Sequence, residues 1–304
     1  MCRHSATLSW HGSLIGWLVG IHMGRLAVDE MLDCMLLHGP FGDDIAPRIA
    51  VTTDALAHQI APLSFGVACE RAQSMDVVQR THTDGGAGRG RFIPAEFERV
   101  FPIDGGTSVG PFGESVFSNV HWRLFWRRVD TEQWFEEYYG GIERASEIEG
   151  HAWSHEYDSL LAKMDEINPP GFLIGVLAAS PRVVLFERAW RARVEGMRLV
   201  LAIESCRLGH DGAPPPSLAD LGDTVAPEQL IDPISGGPWI YRPTPAELDE
   251  DGEPIAAGGI VWPYELRSAP LPGFEGRGGS GRWRDPRAGI LITRPIPPPT
   301  FDDP

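Results

Sequence analysis

From Ser13 to His38 the apolar positions Leu14, Trp17, Leu18, Ile21, Leu26, Met31, Met35 and Leu36 fall close to helical spacing. The pattern predicts one long helix, closed by Gly39-Pro40 with glycine at the cap and proline just beyond. Asp43-Asp44 suit a helix N-terminus, and a second helix is expected through Ile49 and Leu56 to about Ile60, where Pro62 interrupts. A third is expected from about Phe65 to Arg80. The short connections imply antiparallel packing.

The stretch 84–119 breaks this rhythm. Glycine and proline recur through it (Gly85-Gly86, Pro94, Pro102, Gly105-Gly106, Gly110-Pro111), which predicts a long irregular insertion with one helical turn at 95–99. Helical periodicity resumes over 122–140 and again over 142–167, and Asn168-Pro169-Pro170-Gly171 ends it. The clearest helix opens after Ser180-Pro181, an N-cap with proline at the first helical position. Phe186, Trp190, Val194, Met197, Leu201 and Leu208 make one stripe along it, with Arg188, Arg191, Glu195 and Arg198 largely off the stripe. It stops at 209–216.

Beyond that, 231–242 reads as a turn and a short strand, and Val261-Trp262 and Ile290-Leu291-Ile292 read as further short strands in a Pro/Gly-rich tail. The expected fold class is mainly α: a helical, bundle-like region, a long amphipathic helix and a small β/loop-rich C-terminal unit. The expected division is 1–170 for the helical region with its insertion, 171–243 for the long helix and the turn and strand, and 244–304 for the tail.

Composition narrows the function classes. The 304 residues are 42% hydrophobic and 22% charged, within the range of folded globular chains. Asp and Glu number 42 against 26 Lys and Arg, for a formal charge of −16. So acidic a chain repels phosphate backbones and anionic lipid, and nucleic acid is not an expected partner. The arginine clusters 123–128 and 182–198 are read as helix-face residues, solvated or paired with Glu187 and Glu195. Cys2, Cys34, Cys69 and Cys206 are far apart and form no CxxC. Cys34 and Cys69 sit in apolar helical patterns, where free cysteine acts as a small hydrophobe, and the usage leans towards a reducing compartment. No run of eighteen apolar residues occurs, so no membrane span is expected in the chain as given, and 14–23 is read as part of a core helix.

Three segments carry a resemblance. The first is 198–208, Arg-Leu-Val-Leu-Ala-Ile-Glu-Ser-Cys-Arg-Leu, followed by His210-Asp211-Gly212-Ala213-Pro214. The second is Ser217-Leu218-Ala219-Asp220-Leu221. The third is Asp232-Pro233-Ile234-Ser235-Gly236-Gly237-Pro238-Trp239-Ile240-Tyr241-Arg242. Together they resemble the C-terminal part of pseudopilin-type proteins, and more closely an uncharacterised bacterial family that joins a helical region to such a tail. Ser13-Leu14-Ile15-Gly16, Gly39-Pro40 and Glu70-Arg71-Ala72 resemble that family's helical region. The resemblance implies a cell-envelope location and a protein partner, and it carries no catalytic residues.

This chain departs from the pattern in three ways. Cys206 and Ala213 stand where aromatic residues are usual, and the ending 297–303 only faintly echoes the family's. The usual membrane-spanning first helix and extra helical hairpins are not found, so the chain is read as a soluble variant or as a truncated fragment of a membrane-anchored protein.

Candidate chemistry is sparse. His151 and His155 are four apart, a spacing that puts two imidazoles on one helix face and can chelate a divalent metal, with Glu149, Glu156 or Asp158 adding an oxygen. HExxH is not met, and the weightier alternative is a pair of surface histidines on a polar helix. Asp249-Glu250-Asp251-Gly252-Glu253 offers hard oxygens for calcium but lacks EF-hand spacing, so an acidic turn is the stronger reading. The glycine clusters 85–90 and 278–281 fit neither GxGxxG, Walker A nor GxSxG. Trp122, Phe125, Trp126, Trp134, Phe135, Tyr138 and Tyr139 are read as core more readily than as a groove lining. No catalytic or cofactor-binding residue is assigned. The expected function is non-enzymatic, an interaction or structural protein, with a metal site at His151, His155 and Glu156 as the competing reading.

Overall fold

The computed structural model describes residues 2–10, 12–38, 45–86, 89–93, 96, 99, 127–167, 181–210, 212–243, 263–271 and 290–293. These hold seven α-helices: α1 Cys2–Ser9, α2 Leu14–His38, α3 Ile45–Gln59, α4 Leu63–Thr81, α5 Arg128–Glu147, α6 Ala152–Ile167 and α7 Val183–Leu208. Two 3₁₀ helices follow, Leu218–Thr224 and Pro227–Leu230. The strands β1 Ile240–Pro243, β2 Tyr264–Arg267 and β3 Leu291–Thr293 form one antiparallel sheet in that order. The fold is mainly α, as the periodicity predicts. No described helix is long and apolar enough to cross a membrane.

The central element is α7. Helices α2, α3, α4 and α5, both 3₁₀ helices, β2 and β3 all pack on it. The sequence shows one apolar stripe, but burial extends around most of the helix: Val183, Val184, Ala192, Leu199, Val200 and Ile203 join Trp190, Val194, Met197 and Leu201 inside. Neighbours on several sides recruit the small and β-branched positions that periodicity leaves between the stripe and the charged face.

Helix α2 keeps Leu14, Trp17, Ile21, Val28, Leu32 and Met35 inside, with the Trp17 indole donating to the Ala61 carbonyl at 2.8 Å. Two of its residues depart from expectation. Leu26 is 42% exposed and Cys34 is exposed, because both lie on the side that α1, α3, α4 and α7 leave uncovered. Helix α1 is too short and polar to announce itself in the sequence. It packs closely on α2 at Gly20, where an added Cβ would lie 2.8 Å from the Ser5 carbonyl oxygen, and Ser5 Oγ donates to the Gly20 carbonyl at 2.7 Å.

The break expected at 141 falls instead at 148–151. Gly140-Gly141 stay inside α5 because α6 crosses there: a Cβ on Gly141 would meet Leu160 Cδ1 at 2.7 Å. The turn comes at Gly150, whose φ of 66° lies in the left-handed region. Trp134, Phe135, Tyr138 and Tyr139 are buried between α4 and α5, and Tyr139 shares a 2.7 Å hydrogen bond with Ser74. They are core, as expected. Trp122, Phe125 and Trp126 lie outside the described residues, as do most of the turn at 95–99 and most of the 84–119 insertion.

The C-terminal unit hangs on the buried Asp232. Its carboxylate accepts from the Ile234 amide at 3.0 Å, the Ser235 amide at 3.3 Å and the Ser235 hydroxyl at 2.6 Å. It also accepts from the Ala269 amide at 3.0 Å, tying the turn to the residues after β2. Burial raises the carboxyl's pKa, against the lowering effect of these donors. The Trp153 indole donates to the Ile234 carbonyl at 3.0 Å, and Gly236 (φ 70°) presses on Gly150. Tyr264 donates to Glu204 of α7 at 2.8 Å, and Arg207 pairs with the same carboxylate at 2.6 Å. The boundary drawn at 243 coincides with the end of β1, and β2 and β3 from the following segment complete its sheet. Val261-Trp262 lie outside the described residues, and the strand near them begins at Tyr264.

Candidate functional site

One face of α7 is left open. Arg191, Glu195, Arg198, Ala202 and Ser205 follow one another at intervals of four and three, one line down the helix. Two depressions lie along this line and adjoin at Arg198 and Gln229, which line both; together they are the α7 cleft. The half towards the helix N-terminus has a volume of about 420 Å³ and is walled by Glu149 and Gly150 of the α5–α6 turn and by Glu228, Ile231 and Pro233. The other half, about 430 Å³, is walled by Pro47, Ala50 and Asp54 of α3 and by Thr224 and Val225.

The arginines of the cleft are held by the protein itself. Arg188 is 2% exposed; its Nη2 donates to the carbonyls of Ala145 and Ser146, each at 3.1 Å, and to that of Ile148. A cation there complements the carbonyl end of α5. The guanidinium also lies 5.4 Å from the Trp153 ring centroid. Burial pulls its pKa down to about 10 while Glu187 pulls it up, so it remains charged at neutral pH. Burial raises the pKa of Glu187 in turn, opposed by Arg191, with which it forms an ion pair. Arg198 bridges Asp54 at 2.8 Å and Glu195 at 2.6 Å. The sequence reading of this cluster as paired with Glu187 and Glu195 therefore holds for Arg191 and Arg198; Arg188 lies 3.9 Å from Glu187 as well, but is buried against the end of α5.

The carboxylates Glu149 and Glu228 differ. Both are exposed in the cleft wall, and neither forms a salt bridge among the described residues. Ile231 beside them is 50% exposed. The cleft thus presents spare negative charge and some apolar surface over arginines already engaged.

His151 occupies the turn before α6, and His155 lies in its first turn; both are exposed. Glu156 accepts from Arg144 Nε at 2.8 Å, which holds its carboxylate against α5. Among the described residues no group of three or more His, Cys, Asp or Glu is placed to hold a metal ion. The acidic run 249–253 and the glycine cluster 278–281 lie outside the described residues, as does Arg123. Arg127 and Arg128 pair with Asp130 and Glu132.

Sequence reasoning missed the cleft, since its walls come from stretches far apart along the chain. The available signal was the charged line on α7, which names the floor and not the walls. No family model, no curated protein and no solved structure matches the chain.

Proposed function

We propose that this chain is a non-enzymatic interaction protein of the bacterial cell envelope, built on a pseudopilin-like C-terminal module, and that the α7 cleft receives an extended segment of a protein partner. The observation that carries the reading is the pairing state of the cleft: Arg188, Arg191 and Arg198 are engaged internally, while Glu149 and Glu228 face the opening without a salt bridge among the described residues. A lysine or arginine side chain entering between them gains two carboxylates, and its aliphatic stem gains contact with Ile231. The construction of the module supports the resemblance: a long helix, a turn at Asp232-Pro233, and a small antiparallel sheet fastened to the same helix through Tyr264 and Glu204.

The test is site-directed photo-crosslinking in the native cell. A photoreactive residue at Ser205 in the cleft is compared with one at Arg80, which is exposed and outside it. An adduct with an envelope protein is expected from position 205 alone, lost when Glu149 and Glu228 are both changed to lysine. No adduct from 205, or equal adducts from both positions, would refute the assignment.

A further inference from the structure

A second surface lies on α2, away from the cleft. Ile15, Val19, His22, Leu26, Glu30 and Asp33 are spaced four, three, four, four and three apart, so they form one line along the helix. The opposite side is the buried one, with Leu14, Trp17, Ile21, Val28 and Leu32. On the outer line Ile15 is 55% exposed, Val19 43% and Leu26 42%, and the exposed carboxylates Glu30 and Asp33 follow directly. Beside it an apolar groove of about 250 Å³ opens between α2 and α7, with Leu18, Ala189 and Trp190 among its walls. The line thus carries three branched aliphatics around His22 over its first three turns and two carboxylates beyond them.

That order of chemistry specifies what fits. Branched aliphatics at helical spacing match the apolar face of another helix, which recognises its partner through residues at i, i+4 and i+7. The two carboxylates call for cations one turn beyond the apolar stripe. A second copy of this chain does not provide them. Side by side in parallel, two α2 helices would set Glu30 and Asp33 against their equivalents; in antiparallel they would set them against Ile15. Each chain also carries a formal charge of −16, which repels a copy and draws a cationic partner. We propose that the outer face of α2 docks an amphipathic helix of a partner protein, with the apolar stripe laid on Ile15, Val19 and Leu26 and lysine or arginine against Glu30 and Asp33.

The experiment uses the full chain and a synthetic helix of about 18 residues, long enough for five turns. The probe carries leucines along one line and two lysines one turn further. Fluorescence anisotropy is expected to show saturable binding, weakened at least about tenfold by Val19→Glu or Leu26→Glu. Glu30→Lys combined with Asp33→Lys should weaken the lysine probe similarly and restore binding to a matched probe ending in two glutamates. These positions are exposed, and far-UV circular dichroism checks that each variant keeps its helices. Binding unchanged in Val19→Glu and Leu26→Glu, no saturation below about 100 μM, or no switch with the glutamate probe would overturn the proposal. So would a concentration-dependent dimer, seen in sedimentation and abolished by Leu26→Glu. The variants leave the α7 cleft intact, so this outcome is independent of the crosslinking one.

Discussion

Replacing Arg188 with methionine tests how the helical region is joined to α7. The side chain is enclosed, its Nη2 reaches three carbonyls at the end of α5, and its plane sits over Trp153. Methionine preserves most of the stem volume, so little cavity is created. What is lost is a charged donor to three carbonyls at the end of α5, and the second of the two cations beside the buried Glu187, which keeps Arg191. Removing one member of a buried ion pair costs about 3–5 kcal/mol; Arg191, which stays on Glu187, and the recovered desolvation of the guanidinium place this case near the lower end. With a urea slope of about 3 kcal/mol/M, the midpoint followed by tryptophan fluorescence should fall by about 1 M with the slope unchanged. Lysine should restore less than half of the loss, because an ammonium lacks the planar fork and does not stack on the indole. Arg188→Met within about 1 kcal/mol of wild type, or full recovery by lysine, would refute the reasoning.

Further outcomes follow from the same geometry. Gly141→Val should cost about 1–3 kcal/mol, because the new side chain meets Leu160, whereas Gly140→Ala, with only Arg144 Nη1 at 3.4 Å, should raise stability by up to ~1 kcal/mol; thermal unfolding separates the two. His82 is buried against Phe92 and Thr131, and desolvation lowers its pKa. The unfolded chain therefore takes up a proton near pH 6.5 that the folded chain refuses, so His82 should reduce stability as the pH falls below that value. Each tenfold difference in proton affinity between the two states is worth about 1.4 kcal/mol. His82→Gln should flatten the denaturation profile in that acid range, and an unchanged slope would remove His82 as the cause. Gly236→Ala forces a Cβ against the Gly150 Cα at a positive φ, so hydrogen exchange should quicken at 231–239 and 150–154 together. With Glu156 held by Arg144, native mass spectrometry in zinc should show no mass excess that is lost with chelator and with His151→Ala; such an excess would restore the histidine pair as a metal site.

Much of the fold is legible in the sequence because its helices have strong punctuation. Helix α2 ends at His38, where the sequence Gly39-Pro40 places the stop, and α7 opens at Val183 with Arg182 as its N-cap, just beyond the Ser180-Pro181 start signal. The turn at Asp232-Pro233 is legible for the same reason: an aspartate that accepts from the amides after it is a local device. What escapes is whatever depends on a distant neighbour. Gly141 reads as a helix stop until Leu160 is seen pressing on it, and Arg188 reads as solvent-facing until the end of α5 is placed beside it. Leu26 reads as core because periodicity reports a face without reporting which helices cover it. The cleft floor could be named from α7, but its walls, contributed by residues 47–54, 149–150 and 224–236, could not.

The fourfold use of the Asp232 carboxylate bears on how this chain can vary. It fastens the residues before β1 to the residue that follows Ser268, thirty-seven positions on, and the sheet register is set at both ends by that clasp and by Tyr264 on Glu204. Asp232, Tyr264 and Glu204 should therefore resist substitution together, because each holds the sheet at a different point. The attachment of the sheet to α7 and to the Asp232 turn thus rests on three side chains, and losing any one of them should loosen the unit as a whole.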